Sequence, residues 1–117
     1  MKEDPAIVVP RLRPLRYSRL VNEPPREKGV DVELAIAAVE WTLTKQCHVA
    51  IVFSHDTDLV PVIEMLSRVI GPASVETASW TSDTFNQRIR TKLPVYHHSI
   101  SQAVFDRVET RVNYAHA

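Results

Sequence analysis

The spacing of apolar residues changes several times along the chain, and each change predicts a new element. Residues 6–9 are apolar and residues 12–17 alternate in a period of two, with Pro10 and Pro14 excluding a helix there. This pattern predicts extended chain. Residues 18–28, which contain Asn22, Pro24 and Pro25, predict a loop.

A helical period follows the loop. It predicts a helix from Val30 to about Lys45, with a stripe that we expect to face the core, made of Val30, Leu34, Ala37, Ala38 and Trp41. Residues 48–53, with the sequence His-Val-Ala-Ile-Val-Phe, then form a short apolar run. Such a run predicts a strand buried on both faces of a parallel sheet.

The second half of the chain continues to alternate helix with strand. After a polar turn at residues 54–58, an apolar stripe predicts a helix that ends at Gly71 and Pro72, the stripe being Leu59, Ile63, Leu66 and Ile70. Further along, the pattern predicts a strand at 74–79, a short helix at 84–90, a strand at 95–97 and a last helix at 101–108. The alternation predicts an α/β fold with a Rossmann-like, mostly parallel sheet and flanking helices.

Length and composition limit the class of protein. The chain has 117 residues, 44% of them hydrophobic, which fits one compact domain over residues 1–117. Cys47 is the one cysteine, so no intramolecular disulfide can form, as is common in a reducing compartment. Because there is no apolar run of about 20 residues and no signal-peptide pattern, we expect a soluble cytoplasmic protein.

The charges are balanced overall and uneven along the chain. The formal net charge is zero, yet residues 1–30 carry seven lysines and arginines against four acids. The remaining residues carry seven basic and ten acidic side chains. A basic arm beside an acidic body suits a metal site that acts on a polyanion, but it is also common in proteins that do not bind nucleic acid.

Carboxylates stand in the turn directly after the apolar strand. Asp56 and Asp58, with Ser54 before them, lie where parallel sheets bind their ligands. Two such carboxylates suit Mg²⁺ or Mn²⁺, which can activate water against a phosphodiester. The same residue types are preferred helix caps, so capping and ligation are about equally supported. We expect Asp58 to be the cap and Asp56 the ligand. Asp31, taken alone, is more typical of an acid that complements the helix dipole.

Several segments share one order along the chain. Glu27-Lys-Gly-Val-Asp31 opens the first helix, the apolar strand follows, and Ser54-His-Asp-Thr-Asp58 comes after it. In this the chain resembles the NYN branch of the PIN-like nucleases over nearly its whole length. The resemblance continues in Arg11-Leu-Arg-Pro-Leu-Arg-Tyr17 and Thr77-Ala-Ser-Trp80, and in a bacterial subgroup also in Leu93-Pro-Val-Tyr-His97 and Asn113-Tyr114.

The resemblance implies a ribonuclease that binds RNA and uses Mg²⁺ or Mn²⁺. Its catalytic and metal-binding residues would be Asp31, Asp56 and Asp58. Ser54 would orient this cluster. Glu27 and Lys28 would flank it, with Lys28 in contact with phosphate.

Other side chains are candidates for binding the substrate. Trp80 ends a predicted strand and could stack on a base. Several arginines are candidates for contacts with phosphate. A position on a solvent-exposed face of a strand or helix explains them equally well; they are Arg11, Arg13, Arg16, Arg88 and Arg90. His55 is expected to be an exposed turn residue. His97 and His98, as neighbours on a strand, should face opposite sides and are not expected to share an ion.

One departure from the family matters. Members begin with a strand whose aspartate supplies a central ligand, and nothing before Arg11 resembles that strand. We therefore expect an N-terminally truncated form relative to the family, as a fragment, a natural loss, or a chain whose partner supplies the strand. Its absence would leave an unpaired edge, so a homodimer or a strand-supplying partner is expected.

Three functions remain open. The first is metal-dependent RNA cleavage, which the retention of Asp31, Asp56 and Asp58 favours. The second is a degenerate domain that binds nucleic acid or protein without catalysis, which the absent aspartate favours. The third is another Rossmann-like phosphohydrolase, which would ordinarily carry a nucleophilic aspartate on its first strand.

Overall fold

The computed structural model describes residues 8–17, 19, 22–26 and 29–109. In chain order the elements are helix α1 (Val30–Leu43), strand β1 (Ala50–Phe53), a 3₁₀ turn (Thr57–Leu59), helix α2 (Val60–Val69), a second 3₁₀ turn (Pro72–Ser74), strands β2 (Val75–Trp80) and β3 (His97–Ile100), and helix α3 (Gln102–Val108). The strands form one parallel sheet in the order β1-β2-β3. The predicted α/β fold with a parallel sheet and flanking helices is confirmed.

The core lies between helix α2 and one face of the sheet. Its fully buried side chains come from α2, from the 3₁₀ turn before it, from the strands and from one position in the segment after β2; they are Val52, Leu59, Ile63, Leu66, Val75 and Ile89. Removing each from water stabilises the fold by about 1.5–3 kcal/mol. The predicted stripe of this helix is thus confirmed, except that Ile70 at its C-cap is exposed.

Helix α1 forms where it was predicted, but among its stripe residues Ala38 alone packs against the core. The stripe faces a groove of about 470 Å³ beside strand β1, which we call the edge groove. The groove is lined by the five stripe residues, by Val9, Arg11, Glu33 and Cys47, and by residues 49–52. Trp41, predicted to be a core residue, is only half-buried, with the Arg11 guanidinium 5.8 Å from its ring centroid.

Strand β1 is buried on one face, so the prediction of burial on both faces was wrong. Val52 points into the core, whereas Ile51 and Phe53 are 56% and 47% exposed. The strand is an edge strand of the sheet, and none of the described residues pairs with its outer side. An apolar run indicates that a strand can be covered on both faces, but the covering element has to be present.

One predicted element is limited in extent and another was wrong. Residues 12–17, predicted to be extended chain, pair through one bridge, in which Arg16 and Arg26 exchange backbone hydrogen bonds of 2.7 Å. Pro10 and Pro14 each remove a backbone donor, which limits pairing here. Residues 84–90 form no helix, because Ile89 alone is buried and the segment has no apolar face to pack. Ala6, Ile7 and Asn113-Tyr114 lie outside the described residues.

The remaining elements follow the predictions closely. Strand β2 and helix α3 form as expected, and Ser101 caps α3 by accepting from the Val104 N–H at 3.4 Å. Strand β3 begins at His97, two residues later than predicted. Within the part of the chain that the structure describes, every helix is too short or too polar to cross a membrane.

His97 and His98 lie on opposite faces of β3. The His97 ring bridges two buried hydroxyls on β2, with Nδ1 2.8 Å from Thr77 Oγ1 and Nε2 3.0 Å from Ser79 Oγ. His98 Nε2 instead lies 2.8 Å from Glu76 Oε1. Burial lowers the pKa of His97, and the positive charges of Arg88, His98 and Arg90 lower it further.

We expect protonation of His97 to destabilise the fold at mildly acidic pH. The unfolded chain takes up this proton near pH 6.5, whereas the folded protein, with the lowered pKa of His97, takes it up at lower pH. The free energy of unfolding should therefore fall as the pH drops below about 6.5 and stop falling below the lowered pKa. Denaturant titrations from about pH 8 to about pH 5 measure this. His97→Gln, which does not titrate in this range, should show a shallower decline; identical pH curves would contradict the prediction.

Candidate metal centre

A short chain of hydrogen bonds shapes the turn after β1. The Ser54 N–H donates to the Ala78 carbonyl at 3.2 Å, which continues the β1–β2 ladder one residue beyond the strand. Ser54 Oγ then accepts from the Asp56 N–H at 3.0 Å, and Asp56 Oδ1 accepts from the Asp58 N–H at 2.8 Å. The sheet thereby fixes the positions of both aspartates.

The cap of the following 3₁₀ turn is Asp56, so the expectation that Asp58 would be the cap was wrong. Asp56 has extended backbone angles, φ −76° and ψ 117°, as a cap requires, while Asp58 lies inside the turn. Capping uses one oxygen of Asp56. A carboxylate has two oxygens and several lone pairs, so the same side chain can still ligate an ion.

Helix α1 carries Asp31 to this turn. It begins after Gly29, whose φ of 79° is left-handed, and it packs against both β1 and the 3₁₀ turn Thr57–Leu59. Asp31 and Glu33 occupy its first turn, where negative charge complements the helix dipole. Glu33 faces Arg13, with Oε2 and Nη1 3.1 Å apart. Asp31 and Glu33 thus share a helix turn and have different neighbours.

The three aspartates predicted as ligands come together. One carboxylate oxygen from each of Asp31, Asp56 and Asp58 lies within 4.8 Å of the others. Ligands of an octahedral Mg²⁺ stand about 3.0 Å apart when adjacent and about 4.2 Å apart when opposite, so rotation of these side chains would have to bring the oxygens closer by about 1–2 Å. All three donors are hard oxygens and each side chain keeps some exposure. The donor set therefore fits Mg²⁺ or Mn²⁺.

The predicted substrate-binding residues have different surroundings. The Arg13 guanidinium lies against Gly29, so that a Cβ placed there would be 3.0 Å from its Nε; the glycine thus permits the close approach of this guanidinium. This puts Arg13 at the start of α1, one turn or less from Asp31. Arg16 is exposed, and its backbone pairs with Arg26. Lys28, with Glu27, lies outside the described residues.

Trp80 belongs to an open aromatic row at the end of the sheet. Its ring meets Phe53 edge-on at 5.3 Å and Phe105 of α3 at 5.8 Å. Trp80 is 43% exposed. Since Phe53 immediately precedes Ser54, the row adjoins the acidic turn.

His55 differs from its prediction as an exposed turn residue. Its ring is half-buried, 5.0 Å from the ring of Phe85, and its Nε2 is buried without a hydrogen-bond partner among the described residues. A buried nitrogen without a hydrogen bond lowers the stability of the fold, so such atoms usually bind a water, an ion or a ligand. Its place between Ser54 and Asp56 was the available signal; the packing against Phe85 could not be anticipated from sequence.

Comparison with known proteins bears on the same segments. A family model described as NYN domain matches residues 7–99, which include all three aspartates. No curated protein and no solved structure matches the chain.

Replacing Asp56 separates its capping role from its charge. We expect Asp56→Ala to lower the free energy of unfolding by about 1 kcal/mol, because the cap of the 3₁₀ turn is lost. Asparagine caps as well as aspartate, so Asp56→Asn should stay within a few tenths of a kcal/mol of the wild type. Denaturant unfolding of the three proteins measures this. Equal destabilisation by both substitutions would show that the carboxylate charge, and not the cap, is what stabilises the turn.

Proposed function

The chain belongs to the NYN domain family, and from this membership and its acidic cluster we propose that it is a metal-dependent ribonuclease that hydrolyses phosphodiester bonds of RNA. The observation that carries the proposal is the convergence of Asp31 with Asp56 and Asp58 across 25 residues of sequence. Capping and dipole effects explain an acid at each position separately. They do not explain why the three carboxylates face one point.

The residues of the cluster have distinct parts in this proposal. Asp31, Asp56 and Asp58 would hold one Mg²⁺ or Mn²⁺, and Ser54 keeps Asp56 in place through the hydrogen bond to its N–H. A bound ion of this kind supplies an activated water and neutralises charge on the phosphodiester. The carboxylates offset the charge of the ion and leave part of its shell to water and phosphate.

Recognition of RNA would use side chains around the cluster. We infer that Arg13, at the start of α1, contacts a phosphate, and that Arg16 and Lys28 also bind the RNA, Lys28 through a phosphate. Trp80, exposed in the aromatic row, would stack on a base. The proposal further takes residues 1–117 as one domain that acts in the cytoplasm. A second copy of the chain or another protein would supply a strand at the edge of β1, where none of the described residues pairs.

A second candidate is a module that binds nucleic acid or protein without catalysis. The edge of β1 that is unpaired among the described residues favours it, because an exposed strand edge can support binding without catalysis. The two functions differ in one respect that can be measured. A binding module would retain RNA without cleaving it under any metal.

Cleavage of labelled single-stranded RNA tests the enzyme directly. We expect the purified chain to cleave RNA with Mn²⁺ and not with EDTA. Asp56→Asn, which keeps the cap, should reduce the rate about 100-fold or more, because a metal ligand is worth several kcal/mol in such a site. Asp83→Asn, an exposed acid outside the cluster, serves as the control. RNA bound but uncleaved by a folded protein under several metals would favour the binding module.

Metal binding has a readout that does not require turnover. An ion that binds the folded state alone raises the free energy of unfolding, by about 2.7 kcal/mol at a hundredfold excess over its Kd. We expect Mn²⁺ to raise the unfolding midpoint of the wild type and not of Asp31→Asn. Glu33→Gln removes a carboxylate from the same helical turn but outside the cluster, so it should respond as the wild type does. If Glu33→Gln lost the response and Asp31→Asn kept it, the assigned ligand set would be wrong.

A further inference from the structure

Strand β1 presents an unpaired backbone edge. Because the Ser54 N–H points to Ala78 on β2 and orientation alternates along a parallel strand, the backbone groups of Ile51 and Phe53 point away from the sheet. Within the described residues the sheet ends at this strand. Exposed backbone donors and acceptors of this kind are a template for another strand.

The edge groove beside this edge is mostly apolar, and a chain that covered it would bury that apolar surface. It measures about 470 Å³, and its wall is the stripe of α1 that the sequence marks for burial. Val30 and Leu34 in that stripe are 38% and 41% exposed, and Val49 and Ile51 on the strand side are 41% and 56% exposed. A second extended segment with apolar side chains would cover both surfaces at once.

The composition of β1 itself suits that segment. Residues 49–53, with the sequence Val-Ala-Ile-Val-Phe, contain no charge, proline or glycine. Strand edges that stay exposed are usually protected by charged side chains or by proline. At the other end of the sheet β3 has polar residues at three of its four positions, His97, His98 and Ser99. The unprotected edge is therefore the one beside the apolar groove.

Charge selects the direction in which two copies would pair. The chain before β1 carries Lys45 and His48, whereas the turn after it carries Asp56 and Asp58. Parallel pairing would place the acidic turns of two copies side by side, which is repulsive. Antiparallel pairing places the acidic end of each strand beside the basic end of the other, which is attractive.

We propose that two copies of this chain pair antiparallel through β1, about a two-fold axis at Ile51, to form one continuous six-stranded sheet. In this register the partner's His48 lies opposite Ser54, and the partner's Lys45 is brought towards the acidic cluster. The interface is self-complementary, as two-fold symmetry requires. The proposed function left open whether a second copy or another protein supplies the strand, and this inference chooses a second copy. It holds whether or not the protein cleaves RNA.

Cross-linking tests the register. Residues directly opposite in an antiparallel pair have Cα atoms about 4.5–5.5 Å apart, within the range of a disulfide. In a Cys47→Ser background, Ile51→Cys should form a disulfide-linked dimer under mild oxidation, seen on non-reducing gels. Val69→Cys, on α2 and 61% exposed, is the matched control and should stay monomeric on the gel. Equal linking at both positions, or none at residue 51, would overturn the proposal.

Sedimentation equilibrium of the full chain tests the surface independently. The wild type should be a dimer, and Ile51→Lys should raise the dimer Kd about tenfold or more, because a lysine opposite its own copy is repulsive. Val69→Lys removes a similarly exposed apolar side chain elsewhere and should leave the Kd unchanged. Circular dichroism verifies that both variants fold.

The charge argument has its own variant. Lys45→Glu should weaken the dimer, since it places a negative charge near the acidic turn of the other copy. A monomeric wild type, or a dimer whose Kd responds to neither Ile51→Lys nor Lys45→Glu, would overturn the inference. Cross-linking and sedimentation do not depend on RNA cleavage, so failure of the dimer proposal can be distinguished from failure of the ribonuclease proposal.

Discussion

The hydrogen bond from the Ser54 N–H to the Ala78 carbonyl determines the geometry of the acidic turn. It holds Ser54 in the register of the sheet, and from there Ser54 Oγ fixes the Asp56 N–H while Asp56 fixes that of Asp58. A slip of one residue between β1 and β2 would turn the Ser54 side chain to the other face and interrupt this series. The buried contacts of Val52 and Val75 resist the slip, because they would leave the core with it. Core packing and site geometry therefore depend on the same register.

Local sequence patterns predicted the elements that carry their own periodic signal. Helix α2 has an apolar stripe that ends at Gly71 and Pro72, and strand β2 follows this stop; both formed within a residue or two of the expected limits. The segment at residues 84–90 has one buried side chain, Ile89, and its shape is set by where that residue enters the core. The exposure of one face of β1 could not be derived from its composition. An apolar composition shows that both faces can be buried, but not which elements pack on them.

The candidate site was predictable to different degrees. Asp56 and Asp58 are close in sequence, so their convergence follows from a turn after a parallel strand. Asp31 joins them only because α1 packs against β1 and the 3₁₀ turn, and the family resemblance, not the local pattern, pointed to it. The exchange of roles between Asp56 and Asp58 has a local cause. A cap needs extended backbone, and which residue supplies it depends on where the 3₁₀ turn starts, a boundary that sequence alone determines poorly.

Three carboxylates are enough protein ligands for an ion of this type, since Mg²⁺ commonly keeps several waters and uses one or two carboxylates together with substrate phosphate. The stronger demand is that the three stay within reach of one another. Asp31 is on α1 and the other two follow β1, so their separation depends on how firmly the helix lies against the strand. The edge groove lies between these two elements. A chain that fills it would contact the α1 stripe and the β1 edge together, and would thereby hold Asp31 against Asp56. Under the two proposals, occupation of the groove would raise the affinity for the metal, even though no residue that lines the groove belongs to the proposed ligand set.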